Sequence, residues 1–212
     1  MLESLDEKIN LLLPQKKKER LILPLRDPVN TELFDLFRAA AGSQSKYKQD
    51  LKSAQLIMAY TILFYTGLRI NEIRSFQEKD IFDAIKTSQF SVVHFKQKEP
   101  HIHVISDLAV QELKKLKNQL NVISIKYKYK YLIEMINKDL KHTCQINQIS
   151  YNIKSHSFRI NMISKLLQTT SAQNAADIIG HRDIKSTMAY KRYALNKREI
   201  QNLLNKIDQK GF

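Results

Sequence analysis

The stretch Ile178–Leu195, IIGHRDIKSTMAYKRYAL, decides how this chain is organised. His181 stands nine residues before Tyr190 and twelve before Tyr193. On an unbroken helix nine residues turn through about 180°, which would set His181 and Tyr190 on opposite faces. A break between them removes the difficulty. Gly180 is suited to cap a helix ending before His181, and Ser186 to cap the one that follows. With that break, both side chains can point at one site.

The rest of the chain is strongly basic. Lys and Arg outnumber Asp and Glu by 35 to 21, a net charge of +14. Such an excess repels itself, and a polyanion such as nucleic acid is its natural complement. A compositional bias toward Lys, Ile and Asn is the plainer source of the same charge. The length of 212 residues and the 43% hydrophobic content suit one globular domain with short extensions, and exclude general disorder.

The single cysteine, Cys144, excludes a disulfide within the chain and fits a reducing compartment. Its polar setting, KHTCQINQ, reads as that of an inert thiol. The longest apolar run, LIMAYTILFY, has ten residues, too short to cross a bilayer, and reads as a core helix. The N-terminus MLESLDEKINLLL is acidic where a signal peptide is basic, so no export signal is expected. The expected location is the cytoplasm or nucleoid, with an organelle interior as the alternative. No membrane partner is expected.

Hydrophobic periodicity predicts a mainly α chain with one small antiparallel sheet, an α+β fold. Residues 1–28 read as a short amphipathic helix and a basic, proline-bearing arm. VNTELFDLFRAAAG predicts a helix with Leu33, Phe34 and Phe37 on one face and Gly42 as C-cap. Lys52–Tyr65 predicts a second, with Leu56, Tyr60, Leu63 and Phe64 inward. LRINEIRSF begins a short helix, and FSVVHFK and HIHVI are two strands joined at QKEP. Further helices follow in DLAVQELKKLKNQL, with Ala109, Leu113, Leu116 and Leu120 inward, and in YKYLIEMINKDLKH, before a polar loop to about Ser155. HSFRINMISKLLQ, SAQNAADIIG with Ser171 as N-cap, KSTMAYKRY and the amphipathic tail KREIQNLLNKID complete the set.

Chemistry gathers in four pieces: TGLRINEI with Arg69, FKQKEPHIHVIS with Lys96 and Lys98, HSFR with His156 and Arg159, and GHRDIKSTMAY with His181 and Tyr190. His156 and Arg159, three apart, share a helix face. Two arginines can fork onto the oxygens of a phosphodiester and hold developing charge. Arg69 can equally pair with Glu72, three residues on. Lys96 and Lys98 alternate onto one strand face, or belong to a solvated hairpin tip. His101 and His103 also share a strand face, but with His94 they lack a zinc spacing. A phenol, with a pKa near 10, needs a base and cationic neighbours to become a nucleophile. Without the other pieces, Tyr190 would read as an ordinary core tyrosine.

In this order and at these intervals the four pieces resemble the tyrosine recombinase (phage integrase) family, over roughly residues 29–200. The resemblance implies the recombinase catalytic-domain fold and a catalytic set of Arg69, Lys98, His156, Arg159, His181 and Tyr190. Tyr190 would be the nucleophile, since the family's tyrosine most often lies nine residues after the GH histidine. Lys98 would protonate the leaving 5′-oxygen; Lys96 is the alternative. His156 would assist proton transfer at the tyrosine, and His181 would hydrogen-bond the phosphate. No cofactor or metal is implied.

The chain departs from the family pattern at Ile160 and Asn161, after HSFR, and in a hairpin turn without glycine. Residues 1–28 are also too short to form the helical core-binding domain that usually precedes the catalytic unit. Expected partners are double-stranded DNA and further copies of the chain in a tetrameric synapse; either the chain is a naturally short form, or it is a fragment, or a separate protein supplies the core-binding domain. Residues 201–212 would dock on a neighbouring subunit or on their own domain. The implied function is site-specific recombination through a 3′-phosphotyrosyl intermediate. The alternatives are a non-catalytic DNA-binding derivative and a type IB topoisomerase.

Overall fold

The computed structural model describes residues 27–43, 51–74, 76–93, 100–120, 125, 129–150 and 152–191. In chain order these form α1 (Thr31–Ser43), α2 (Leu51–Thr66), α3 (Ile70–Ile73), α4 (Glu78–Thr87), β1 (Gln89–Val93), β2 (Pro100–Val104), α5 (Asp107–Gln119), α6 (Tyr129–Ile146), α7 (His156–Thr169), α8 (Ala172–Ile179) and α9 (Ile184–Met188). The mainly helical architecture with a small antiparallel sheet is the expected one. Residues 1–26 of the N-terminal helix and arm, Lys96, Lys98, His94, Tyr193 and the tail helix lie outside the described residues.

Helix α2 is the axis of the core. Leu56, Tyr60, Leu63 and Phe64 are buried as their spacing predicts, and so are Ala54, Met58, Ala59 and Ile62 on its other faces. A helix covered all round needs neighbours on every side, and α1, α5 and α7 supply them. Phe34 of α1 stacks on Phe64 with ring centroids 4.1 Å apart, and Tyr60 stacks on Phe158 of α7 at 5.6 Å. The Tyr60 hydroxyl donates to the buried carboxylate of Asp139 on α6 at 2.5 Å. Among the described residues no helix is long and apolar enough to cross a membrane.

Several local expectations need correction. Gly42 lies within the last turn of α1 and does not adopt the left-handed conformation; among the described residues the glycines with positive φ are Gly67 and Gly180. Residues 78–87, read as no element from the sequence, form α4, whose Ile81 and Ala84 face the core and whose Asp80 accepts from the Gln77 backbone N–H at 2.7 Å. Helix α6 continues one turn beyond His142, so Cys144 sits on its buried side, where burial raises the thiol pKa. Asp183, not Ser186, caps α9, its side chain accepting from the Lys185 N–H at 2.9 Å.

The two strands pair antiparallel, Phe90 opposite His103 and Val92 opposite His101. Phe90 and Val92 of β1 are buried. On β2, His103 is buried and His101 half-buried, on the same face. That alternation turns the two histidines inward, against α8 and the end of α2.

Where α2 ends, Gly67 makes a left-handed turn with φ 64°. A Cβ there would stand 2.9 Å from Met162 Cβ on α7 and 3.2 Å from Ile179 Cδ1 on α8. Gly67 thus satisfies a backbone requirement and a close approach together. Gly67→Ala is expected to cost about 2–4 kcal/mol, from left-handed strain and overpacking. Urea unfolding of the purified variant measures it.

Candidate active site

Four separate backbone devices bring the site residues together. The Gly67 turn leads into Arg69, the N-cap of α3. The carboxylate of Glu72, one turn on, accepts the Arg69 backbone N–H at 2.7 Å and its Nη1 at 2.8 Å. Glu72 thereby closes the first turn of the helix and aims the arginine. The Glu72 side chain is 1% exposed and that of Arg69 44% exposed, so the carboxylate is a buried anchor while the guanidinium stays open to an anion. Burial alone would raise the Glu72 pKa. The hydrogen bonds from Arg69 and the charges of Arg69 and Arg159 outweigh it and hold the pKa below the ordinary value.

The second device is the start of α7. Lys154, Ser155 and Ser157 are tied there by Ser157 N–H to the Lys154 carbonyl at 2.7 Å and by Ser155 N–H to Asn137 Oδ1 at 2.9 Å. His156 and Arg159 then follow on one face. Arg159 is 2% exposed. Its Nη1 donates to the Gly67 carbonyl at 2.6 Å, and its Nη2 lies 3.4 Å from the Ile179 carbonyl and 2.9 Å from His181 Nε2. Its guanidinium also donates to the phenol oxygen of Tyr190. Burial lowers its pKa to about 10, with Arg69 adding to the effect and Glu72 opposing it. Arg159 therefore stays charged at neutral pH.

The third device is the end of α8. Gly180, in the left-handed conformation, donates to the Asp177 carbonyl, and His181 N–H donates to the Ala176 carbonyl at 2.8 Å. This Schellman arrangement reverses the chain and turns His181 back toward Arg159. The fourth is the end of α9, where Tyr190 leaves the helix in a turn whose N–H donates to the Thr187 carbonyl at 3.0 Å. The Tyr190 ring stands between two imidazoles, with centroids 6.0 Å from His156 and 6.2 Å from His181.

The structure thus brings Arg69, His156, Arg159, His181 and Tyr190 to one place. Lys98 and its alternative Lys96 fall outside the described residues. The central contact is between His156 Nε2 and Tyr190 Oη, 2.9 Å apart. An arginine N–H can only donate, so Arg159 uses a lone pair of the phenol oxygen, and in the tautomer that leaves Nε2 unprotonated His156 accepts the phenol's own proton. That is the arrangement of a nucleophile with its base, and with a cation placed to hold the phenolate.

Two residues at the site were not assigned to it from the sequence. Thr187, fully buried, places Oγ1 2.8 Å from His181 Nδ1; nothing in its spacing announces that. His103, considered only as a zinc ligand, instead hydrogen-bonds the Thr66 carbonyl, one residue before the Gly67 turn. Burial first, then the neighbouring His101 and Arg159, lower its pKa to about 4, with Glu72 and the Thr66 carbonyl opposing. His103 therefore supports the turn without adding a charge beside two arginines.

This has a pH signature. The unfolded chain takes up the proton near pH 6.5 and the folded chain only near pH 4. Stability present above about pH 6.5 is therefore lost as pH falls toward 4, by about 3 kcal/mol at pH 4. His103→Gln keeps a donor for Thr66 and cannot titrate. Urea unfolding at pH 7 and pH 4 is expected to show a smaller acid loss for the variant by about that amount.

The comparisons with known proteins agree with the geometry. The Phage integrase family matches residues 35–197. No curated protein matches the chain significantly in sequence. Among solved structures, XerA recombinase superposes with a TM-score of 0.60 at 16% identity, over 94% of this chain and 70% of that one. XerH site-specific recombinase, bound to a palindromic difH substrate in a post-cleavage complex, gives 0.59 at 14% identity, over 85% and 53%. A lambda integrase dimer bound to a core site gives 0.57 at 15% identity, over 78% and 48%. The chain thus spans between about half and 70% of the length of these structures. With the family matched across most of its length and the fold shared with these recombinases, the chain belongs to the phage integrase family of tyrosine recombinases.

Proposed function

We propose that the chain cuts and rejoins DNA in site-specific recombination, with Tyr190 as the nucleophile. The observation that carries this reading is the 2.9 Å contact of Tyr190 Oη with His156 Nε2, made beside the charged, buried Arg159. His156 takes the phenol proton as Tyr190 Oη attacks the scissile phosphorus. A 3′-phosphotyrosyl bond forms and the 5′-oxygen leaves. Arg69 and Arg159 hold the charge gathering on the non-bridging oxygens. Lys98, with Lys96 as the alternative, protonates the leaving oxygen, and His181 hydrogen-bonds the phosphate. Attack by the 5′-hydroxyl of another strand then reverses the step. The covalent bond conserves the energy of the phosphodiester, so the chemistry requires no nucleotide and no metal.

The partner is double-stranded DNA, for which the net charge of +14 is the complement. In the complexes compared above, XerH is bound to its difH substrate and lambda integrase to a core site as a dimer. By analogy this chain acts as several copies on synapsed DNA, with core-binding functions supplied by a further domain or a separate protein. The presence of every catalytic residue type favours this reading over a non-catalytic DNA binder. Site selectivity separates it from a relaxing topoisomerase.

Incubation with nicked suicide duplexes, drawn from inverted repeats of the protein's own genome, is expected to give a denaturant-resistant adduct. Tyr190→Phe abolishes it, and Tyr193→Phe retains it. His156→Gln slows its formation by about 100-fold, as loss of a general base does. Affinity for duplex falls steeply with added salt. An adduct that survives Tyr190→Phe would overturn the assignment. Tight binding without any adduct would favour the non-catalytic reading.

A further inference from the structure

His181 lies between two groups with different hydrogen-bonding capacities. Its Nε2 is 2.9 Å from Arg159 Nη2, and its Nδ1 is 2.8 Å from Thr187 Oγ1. Guanidinium nitrogens donate and cannot accept. Nε2 must therefore be the accepting nitrogen. A doubly protonated ring would set N–H against N–H and one cation against another at that distance. His181 in the DNA-free site is consequently neutral, with its proton on Nδ1 and donated to Thr187 Oγ1.

That state cannot donate to a phosphate. Phosphate oxygens only accept, and the nitrogen on the Arg159 side, Nε2, presents a lone pair. For His181 to serve a phosphate through Nε2, as the proposed function requires, the proton must change nitrogens. Arg159 Nη2 would then turn its N–H to the same anion. Nδ1, left with a lone pair, would need a donor. A threonine hydroxyl is both donor and acceptor, and rotation about one bond exchanges the roles. Thr187 is fully buried, where a hydroxyl without a partner is costly. Its backbone carbonyl also accepts the Tyr190 N–H at 3.0 Å, so the residue that faces His181 also holds the nucleophile's turn.

We propose that Thr187 is a positioning residue that allows His181 to change tautomer: it accepts from Nδ1 in the free site and donates to Nδ1 when a phosphate occupies Nε2. One proton leaves Nδ1 and one arrives at Nε2, exchanged with solvent, and the ring is neutral before and after. The free-state half rests on the hydrogen bonds alone. The phosphate-bound half rests on the function proposed above.

The test is 15N NMR of histidine-labelled protein, with the His181 signals assigned by His181→Gln. The DNA-free protein is expected to show the Nδ1–H form. Saturation of Tyr190→Phe, which cannot be cleaved, with the nicked duplex is expected to convert it to the Nε2–H form. Thr187→Ser behaves as wild type. Thr187→Val keeps the free-state tautomer that Arg159 imposes but, combined with Tyr190→Phe, fails to convert on saturation with the duplex, and the cleavage rate of Thr187→Val at saturating duplex falls about tenfold or more with duplex affinity unchanged. A free-state ring with its proton on Nε2 or on both nitrogens overturns the assignment. So does a bound ring that stays Nδ1–H or becomes a cation, or a Thr187→Val protein whose bound ring converts as the wild-type ring does. A role in packing alone would lower the melting temperature of Thr187→Val and leave the bound tautomer and the rate alone. If wild type forms no adduct while the free-state tautomer is as assigned, the recombinase activity fails and the Thr187–His181 assignment stands.

Discussion

The buried guanidinium of Arg159 ties the molecule together. It reaches the Gly67 carbonyl at the end of α2, the Ile179 carbonyl and His181 beyond α8, and the phenol of Tyr190 after α9. A charge so deeply placed is tolerated only when its N–H groups are used. The bonds of its Nη1 and Nη2, which leave only Nε without a hydrogen-bond partner, are the same bonds that hold the turn before Arg69 and bring His181 and Tyr190 to His156. Folding and assembly of the site are therefore one event. Without Arg159 the fold would lose a link among α2, α7 and α8, and the Tyr190 phenol would lose the cation that hydrogen-bonds it.

Charge around this centre is layered. Glu72 is buried beneath Arg69 and offsets part of the repulsion between the two arginines. His103, behind the Thr66–Gly67 turn, contributes a hydrogen bond and stays neutral. Arg69 faces outward with nearly half its side chain exposed. One buried carboxylate thus serves two arginines, and net positive charge remains on the open side, where a phosphodiester would complete it. A neutral His181 fits this pattern, since a third cation against Arg159 would cost more than it could return before the anion arrives.

Much of the fold was legible in the sequence because periodicity reports which face a segment buries. Leu33, Phe34 and Phe37 of α1, the apolar positions of α2, and Ala109, Leu113 and Leu116 of α5 are buried as their spacing requires. Helix ends were read less well. Gly42 continues α1 rather than ending it, and Asp183 takes the cap assigned to Ser186, because several residues near a helix end can satisfy the same orphan N–H groups. Helix α4 went unread because its inward face is short, Ile81 and Ala84, and is completed by other segments.

The sequence alone determined the residue types of the site and the breaks that let them meet. Gly67 and Gly180 mark left-handed turns, His156 and Arg159 share a face, and nine residues separate His181 from Tyr190 across a helix end. These are local consequences of backbone stereochemistry, which neighbours in the chain dictate. The tertiary structure alone decided who touches whom. It placed the phenol against His156, gave Arg159 the Gly67 carbonyl as a partner, set Thr187 behind His181, and turned His103 from a candidate ligand into a neutral support. Those pairings join residues from 6 to 92 positions apart. They depend on how helices cross and on which buried polar groups find partners, and no local pattern encodes that.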